Sequence, residues 1–202
     1  MICVVTDRRR LDVIGQVAAA AAAGIDLVQV RERDLEAAAL AALVTHAVML
    51  TRDTGTRIIV NDRIDVALAC GADGVHLPVD SIPTPAARRL APPGFLVGRS
   101  VHSIEEADAA GGADYLIAGT VFRSASKPHA ERLLGVDGLR AIVAASRVPV
   151  IAIGGVTVDR LGEIAATGAA GVAAISLFGD AAALAATADS IRRWFDRVKT
   201  PS

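Results

Sequence analysis

Aromatic residues make up only 3% of this 202-residue chain, and cysteine occurs just twice. No stretch reaches the roughly 18 uninterrupted apolar residues that a membrane-spanning helix needs. The longest candidate, Val13 to Val30, is broken by Gly15, Gln16, Gly24, Asp26 and Gln29. A mean hydropathy of +0.45 therefore reflects alanine rather than a membrane segment. The short apolar start runs into Asp7-Arg8-Arg9-Arg10, which does not fit a secretion signal. Cys3 and Cys70 stand alone in apolar segments, without metal spacing, and are expected as buried thiols in a reducing cytoplasm. Charge of one sign is also missing. With 21 Lys and Arg against 22 Asp and Glu, the net charge is -1, which gives no general pull toward nucleic acid or an anionic membrane. Any site for a charged ligand is local. With 52% hydrophobic residues, the chain is not disordered. It has no linker or low-complexity tail, so residues 1–202 are expected to form a single domain.

What is present is an alternation. Short β-rich runs recur at Ile2-Val5, Asp26-Arg31, Arg57-Val60, Gly74-Leu77, Phe95-Gly98, Asp114-Ile117, Pro149-Ile153 and Gly171-Ile175. Alanine-rich stretches with helical periodicity lie between them, such as Leu35-Leu50 and Ser103-Ala110. Parallel strands need crossovers and helices provide them, so eight strand–helix units imply a parallel sheet. The expected fold is α/β, a (β/α)8 TIM barrel near the lower size limit for that architecture; an open doubly wound sheet is the alternative. Helix starts are marked by Ser103, Thr157 and Thr84-Pro85. Gly24, Gly71, Gly111 and Gly168 suit left-handed helix ends. The repeated Gly-Ile/Ala-Asp before a strand (Asp26, Asp73, Asp114) is structural and carries no chemistry.

In such a barrel the active face is the C-terminal end of the strands. Polar residues unnecessary for folding accumulate there: Gln29 to Arg33, Asn61-Asp62-Arg63, His76 to Asp80, Arg99 to His102, Thr120, Gly154-Gly155 and Ser176. Gly154-Gly155 with Ser176, after strands seven and eight, forms a candidate phosphate grip. Arg31 and Arg33 share one strand face and suit a polyanion. Asn61-Asp62 and Asp80, at adjacent strand ends, suit magnesium, which takes one or two carboxylates plus phosphate oxygens and water; Asp62 as a helix cap is the plainer alternative. Ser124, Ser126 and Lys127 follow as a second anion-binding loop. Among the four histidines, His46 is expected at the surface, His76 in the core, and His102 is the best acid–base candidate. No Ser-His-Asp spacing, zinc cluster or phosphate-binding Walker loop occurs.

The segments Val28 to Arg33, Ile59 to Arg63, Asp73 to Leu77, Ala113 to Tyr115, Gly119 to Phe122, Ser126-Lys127 and Ile151 to Val156 together resemble the thiamine phosphate synthase/TenI family. That resemblance runs nearly the full chain and implies a (β/α)8 barrel, the thiamine pathway, and a thiazole phosphate ligand. The synthase reaction joins hydroxymethylpyrimidine diphosphate to the thiazole phosphate and releases diphosphate with Mg2+. Positions matching it are Gln29, Arg31, Asn61, Asp62, Ser100, Lys127, Gly155, Ile175 and Ser176. The resemblance makes Arg31, Arg33, Lys127 and Ser100 catalytic, assigns substrate binding to Gln29, Asn61, Ser124, Ser126, Gly154, Gly155, Ile175 and Ser176, and gives the metal to Asp62 and Asp80. Arg33 replaces the usual lysine, serines 124 and 126 replace threonines, and Asp80 arrives one residue early. The Gly98 to Ser103 stretch looks more like the tautomerase branch, yet Thr120 stands where that branch keeps a catalytic histidine. A non-catalytic phosphate binder is the third reading. The expected partners are small phosphorylated substrates, with no nucleic acid and no membrane; a homo-oligomer is left open.

Overall fold

The computed structural model describes residues 1–123 and 133–199. The strands are β1 (Ile2–Val5), β2 (Leu27–Val30), β3 (Arg57–Asn61), β4 (Gly74–Leu77), β5 (Leu96–Val101), β6 (Tyr115–Gly119), β7 (Val150–Ile153) and β8 (Gly171–Ala174). Helices α1 (Val13–Ala22), α2 (Ala37–Thr51), α3 (Ile64–Ala69), α4 (Thr84–Leu90), α5 (Ile104–Ala109), α6 (Gly135–Ala145), α7 (Leu161–Ala165) and α8 (Leu184–Lys199) follow them in turn. Every neighbouring strand pair is parallel, and β1 pairs with β8, so the sheet closes and has no edge. The expected (β/α)8 barrel is present.

Two apolar layers result from the period-2 alternation of each strand. One set, including Val4, Val28, Ile58, Val60, Val97, Leu116 and Val172, packs outward against the helices. The other, Cys3, Val5, Leu27, Ile59, Tyr115, Ile117, Ile151 and Ala173, fills the barrel. Following the inward parity up each strand leads from Leu27 to Gln29, from Ile59 to Asn61, and to His76 and Ser100. The interior therefore changes from apolar to polar at its C-terminal end. That change makes the site.

The repeated aspartates lock the opposite end. Asp26, Asp73 and Asp114 each accept, at 2.7 Å, the main-chain N–H of a residue starting or nearly starting the neighbouring strand, from Ile2, Ile58 and Val97. Ser103 caps α5 by accepting from the Glu106 N–H, and Pro85 lies in the first turn of α4, both as expected. Several expectations need correction. Gly112 rather than Gly111 adopts the left-handed conformation, with φ 88°. Thr157 makes no side-chain cap. β5 continues to Val101, so Arg99 and Ser100 belong to the strand. Cys3 is buried but Cys70 only half so. No helix among the described residues is long and apolar enough to cross a membrane.

Candidate functional site

A cavity of about 370 Å³ opens at the C-terminal end of the barrel. That volume lies in the usual range for small-molecule sites. It is lined by Gln29, Arg31, Arg33, Asn61, His76, Asp80, Ser100, His102 and Thr120 on one side, and by Gly154, Gly155, Val156, Ala174, Ile175 and Ser176 on the other. A smaller hollow of about 250 Å³ adjoins it, sharing Arg33, Asn61 and Asp80 and adding Asp62. The structure thus gathers Gln29, Arg31, Arg33, Asn61, Asp80, Ser100, Gly154, Gly155, Ile175 and Ser176 around one hollow. It puts Asp62 at that hollow's neighbour. Ser124, Ser126 and Lys127 lie outside the described residues.

Alternation along the chain after β2 sorts the Arg31-Glu32-Arg33 run. Both arginines line the cavity, while Glu32 is buried on the other side. There Glu32 accepts from Thr6 Oγ1 at 2.6 Å and from the Arg8 N–H at 3.2 Å, tying the first loop to β2. Burial, then the nearby Arg33 charge, pulls the Arg31 pKa below its ordinary value. From so high a starting point the guanidinium stays protonated, and two cations lining one cavity suit an anionic ligand. Gln29 Nε2 donates to Asn61 Oδ1 at 3.0 Å, which turns the Asn61 amide N–H group toward other partners.

Asp62 is the only non-glycine residue with positive φ among the described residues, at 64°. Asp tolerates this region better than most residues, at some cost. The helix-cap alternative fails: α3 begins at Ile64, its cap residue is Arg63, and no side chain bonds there. Asp62 is exposed, as is Asp80 across the hollow. No group of three or more acidic, histidine or cysteine side chains gathers among the described residues.

The glycine wall is forced by space. Gly154 and Gly155 have φ of 99° and 63°. A Cβ on Gly155 would lie 2.6 Å from the Arg123 carbonyl oxygen and 2.7 Å from Phe122 Cβ, and one on Gly154 would collide with Thr120. The Arg160 guanidinium covers the Phe122 ring at 4.2 Å and holds the two loops together.

His76 and Arg99 bear on the site without being sequence candidates for it, and His102, the acid–base candidate, lines the cavity as well. His76 is buried, lines the cavity, and lies 2.8 Å from Ser100 Oγ through Nε2. Burial, then the Arg99 and Arg31 charges, pulls its pKa down to about 3. His102 lines the cavity too, with Nδ1 3.1 Å from Glu106. Arg99 donates to the Val79 and Ile82 carbonyls, at 2.9 Å each, and so clamps the loop carrying Asp80. Only a polar residue inside an apolar strand signalled His76; nothing local signalled the Arg99 clamp.

The family model for thiamine monophosphate synthase (TMP-TenI) matches residues 2–178. The chain belongs to this family. A thiamine-phosphate synthase of Methanoregula boonei is 49% identical over 159 residues, 78% of this chain and 74% of its own length. One from Moorella thermoacetica is 42% identical over 182 residues, 89% and 87% of the two chains. The solved structure of a thiamine phosphate pyrophosphorylase from Pyrococcus furiosus covers 98% of this chain and 96% of its own, with a TM-score of 0.85 at 34% identity. Membership places the chain in thiamine biosynthesis as a transferase.

Proposed function

We propose that this barrel joins hydroxymethylpyrimidine diphosphate to a thiazole phosphate, giving thiamine phosphate and free diphosphate. The observation that carries the reading is one cavity lined both by Gly154, Gly155 and Ser176 and by Arg31 and Arg33, which the reading takes as two anion grips. In this assignment the bond from the pyrimidine methylene carbon to the diphosphate oxygen breaks, and its electron pair leaves with the diphosphate. The resulting cation is spread over the aminopyrimidine ring. The thiazole nitrogen lone pair then forms the new C–N bond. No proton has to move, which agrees with a site whose buried histidine is too weakly basic to collect one near neutral pH.

Arg31 and Arg33 stabilise the departing charge, with Lys127 and the hydroxyls of Ser124 and Ser126 assigned to the same task. Gln29 orients Asn61 so that its amide N–H group faces the diphosphate. Ser100 contacts the pyrimidine. Gly154, Gly155, Ile175 and Ser176 hold the thiazole phosphate and keep its nitrogen in line. The metal donor set fits Mg2+: two carboxylates, Asp62 and Asp80, border one hollow, and Glu32 beside them is engaged by Thr6 and Arg8. Such a set leaves coordination positions for diphosphate oxygens and water. Magnesium bound there supplies positive charge to the leaving diphosphate. The setting assigned is the cytoplasm, with small phosphorylated substrates as partners.

The test is incubation of purified protein with both substrates and magnesium, following diphosphate release and thiamine phosphate. Turnover that stops on chelation is expected; the absence of product above background rejects the reading. Aromatisation of a thiazole carboxylate phosphate without metal would favour a tautomerase, and tight binding without turnover a regulatory binder.

A smaller effect is expected at Arg99. Replacing it with methionine removes two bonds to the Asp80 loop. The magnesium concentration for half-maximal rate should rise about three- to tenfold, with KM for the thiazole phosphate unchanged. A magnesium titration checks it, and an unaltered titration curve contradicts it.

A further inference from the structure

The His76 ring has one nitrogen engaged and one bare. Nε2 meets Ser100 Oγ at 2.8 Å, while Nδ1 is buried without a hydrogen-bond partner among the described residues. A neutral imidazole carries its proton on one nitrogen only, and the two choices turn the Ser100 hydroxyl in opposite senses. With the proton on Nδ1, a buried N–H would lack an acceptor and Ser100 would donate to Nε2. The cavity would then face a serine lone pair. With the proton on Nε2, Ser100 accepts from His76 and its own proton is left for the cavity.

Two features of the packing separate these choices. Nδ1 stands near Gly98 and the Tyr115 hydroxyl: a side-chain carbon on Gly98 would lie 2.7 Å from the nitrogen and closer still to that hydroxyl, which makes no hydrogen bond to Nδ1. The glycine hydrogen occupying that direction is weakly attracted to a nitrogen lone pair and repelled by an N–H. Buried N–H groups without partners are also rarer in folded proteins than underused acceptors. The ring stacks on Tyr115 with centroids 5.8 Å apart and planes at 27°, and a half-turn within that stack would cost its hydrogen bond to Ser100. Its depressed pKa, already noted, keeps it in the neutral form where this choice exists.

We infer that His76 keeps its proton on Nε2 and so fixes Ser100 as a hydrogen-bond donor, making this wall of the cavity select a substrate that presents a lone pair. His76 does not touch the substrate in this arrangement; it is a positioning residue acting through Ser100. Under the function proposed above, on which this last step rests, the lone pair belongs to a pyrimidine ring nitrogen. Guanidinium groups serve the anionic oxygens at Arg31 and Arg33, and the neutral hydroxyl donor stands on β5, two residues beyond the Gly98 with which His76 pairs in the sheet.

The experiment is a long-range proton–nitrogen NMR spectrum of the full-length protein with labelled histidine, which reads the tautomer directly. A protonated Nε2 and a bare Nδ1 are expected, unchanged between about pH 5 and pH 8. Binding of the pyrimidine diphosphate should weaken about tenfold in both His76→Leu and Ser100→Ala, with KM for the thiazole phosphate unmoved. The double variant should lose no more than either single one, because both remove the same donor. His76→Gln, which can still offer an N–H, should recover part of the loss. Analogues in which each ring nitrogen in turn becomes C–H should bind more weakly to the natural protein for one of the two, and without that distinction to Ser100→Ala. A proton on Nδ1, additive losses, or a folded His76→Leu that binds normally would each overturn the inference. Where His76→Leu fails to fold, the spectrum of the natural protein decides. An Nε2 proton in a protein that makes no thiamine phosphate would remove the functional reading while leaving the hydrogen-bond polarity standing.

Discussion

Asp62→Asn leaves the fold intact and removes nearly all magnesium-dependent turnover. Asparagine shares aspartate's tolerance of the left-handed region, so the backbone at φ 64° is retained while one negative charge is lost. In the proposed reaction diphosphate leaves, and stabilisation of developing charge is usually the largest single contribution to catalysis. A fall in kcat/KM of at least about a hundredfold at saturating magnesium is expected. Two companion variants separate conformation from charge. Asp62→Gly relieves the left-handed strain, so its melting temperature should equal or exceed the natural one despite equal inactivity. Asp62→Ala loses the charge and suffers the strain, so it should unfold about 1 kcal/mol more easily as well as being inactive. Stability from thermal unfolding and rate from diphosphate release give both readings. Asp62→Asn retaining more than a tenth of normal activity would take the metal away from this carboxylate.

The same residue shows where sequence reading stops. That a polar pair follows β3 is visible in Val60-Asn61-Asp62, but neither the left-handed backbone nor the failure to cap α3 is. Both depend on the main chain turning off the barrel rim. The barrel itself was legible because it follows from a counting rule: apolar strands alternating with alanine-rich helices have to be parallel, and eight of them close. The polar layer on top was legible for a related reason, since Gln29, Asn61 and Ser100 interrupt an inward parity that packing alone would fill with apolar residues. The same signal was present at His76. There it is ambiguous, because a histidine flanked by Val75 and Leu77 looks alike whether it faces the core or a cavity above the core.

Other features are nonlocal and leave no trace in spacing. The polar Arg99-Ser100 pair suggested that β5 had ended, whereas the strand continues and Arg99 crosses to the Val79 and Ile82 carbonyls. Glu32 sits in a run of three charges, and only pairing with Thr6 and Arg8 shows why it is buried while its neighbours line the cavity. At the paired glycines 111 and 112, either can supply the left-handed cap as far as side chains go. Their position relative to the entry of β6 selects the second.

Gly155→Ala is expected to abolish the thiazole phosphate grip. Its φ of 63° already disfavours any side chain, by about 1 kcal/mol or more. The added carbon would stand 2.6 Å from the Arg123 carbonyl oxygen, 2.7 Å from Phe122 Cβ and 2.8 Å from the Phe122 carbonyl oxygen. Those atoms cannot simply withdraw, because the Phe122 N–H donates to the Gly154 carbonyl at 3.0 Å and Val121 to Ile153 at 2.9 Å. Arg160 also lies over the Phe122 ring, 4.2 Å from its centre. Relief must come from the loop after β7 itself, the segment assigned to the phosphate. A destabilisation of about 2–4 kcal/mol is expected from strain and overpacking together. KM for the thiazole phosphate should rise at least about thirtyfold, since a displacement of the order of 1 Å at a positioning element is costly. Binding of the pyrimidine diphosphate, assigned to Arg31 and Arg33 after β2, should change less than about threefold, as sites without shared partners respond independently. Ser176→Ala supplies the unstrained control: it removes a hydroxyl from an exposed position, so the same KM should rise about tenfold with no change in melting temperature. If both variants bound the thiazole phosphate normally, that phosphate would have to sit against the arginine wall, and the two-grip assignment of the cavity would fail.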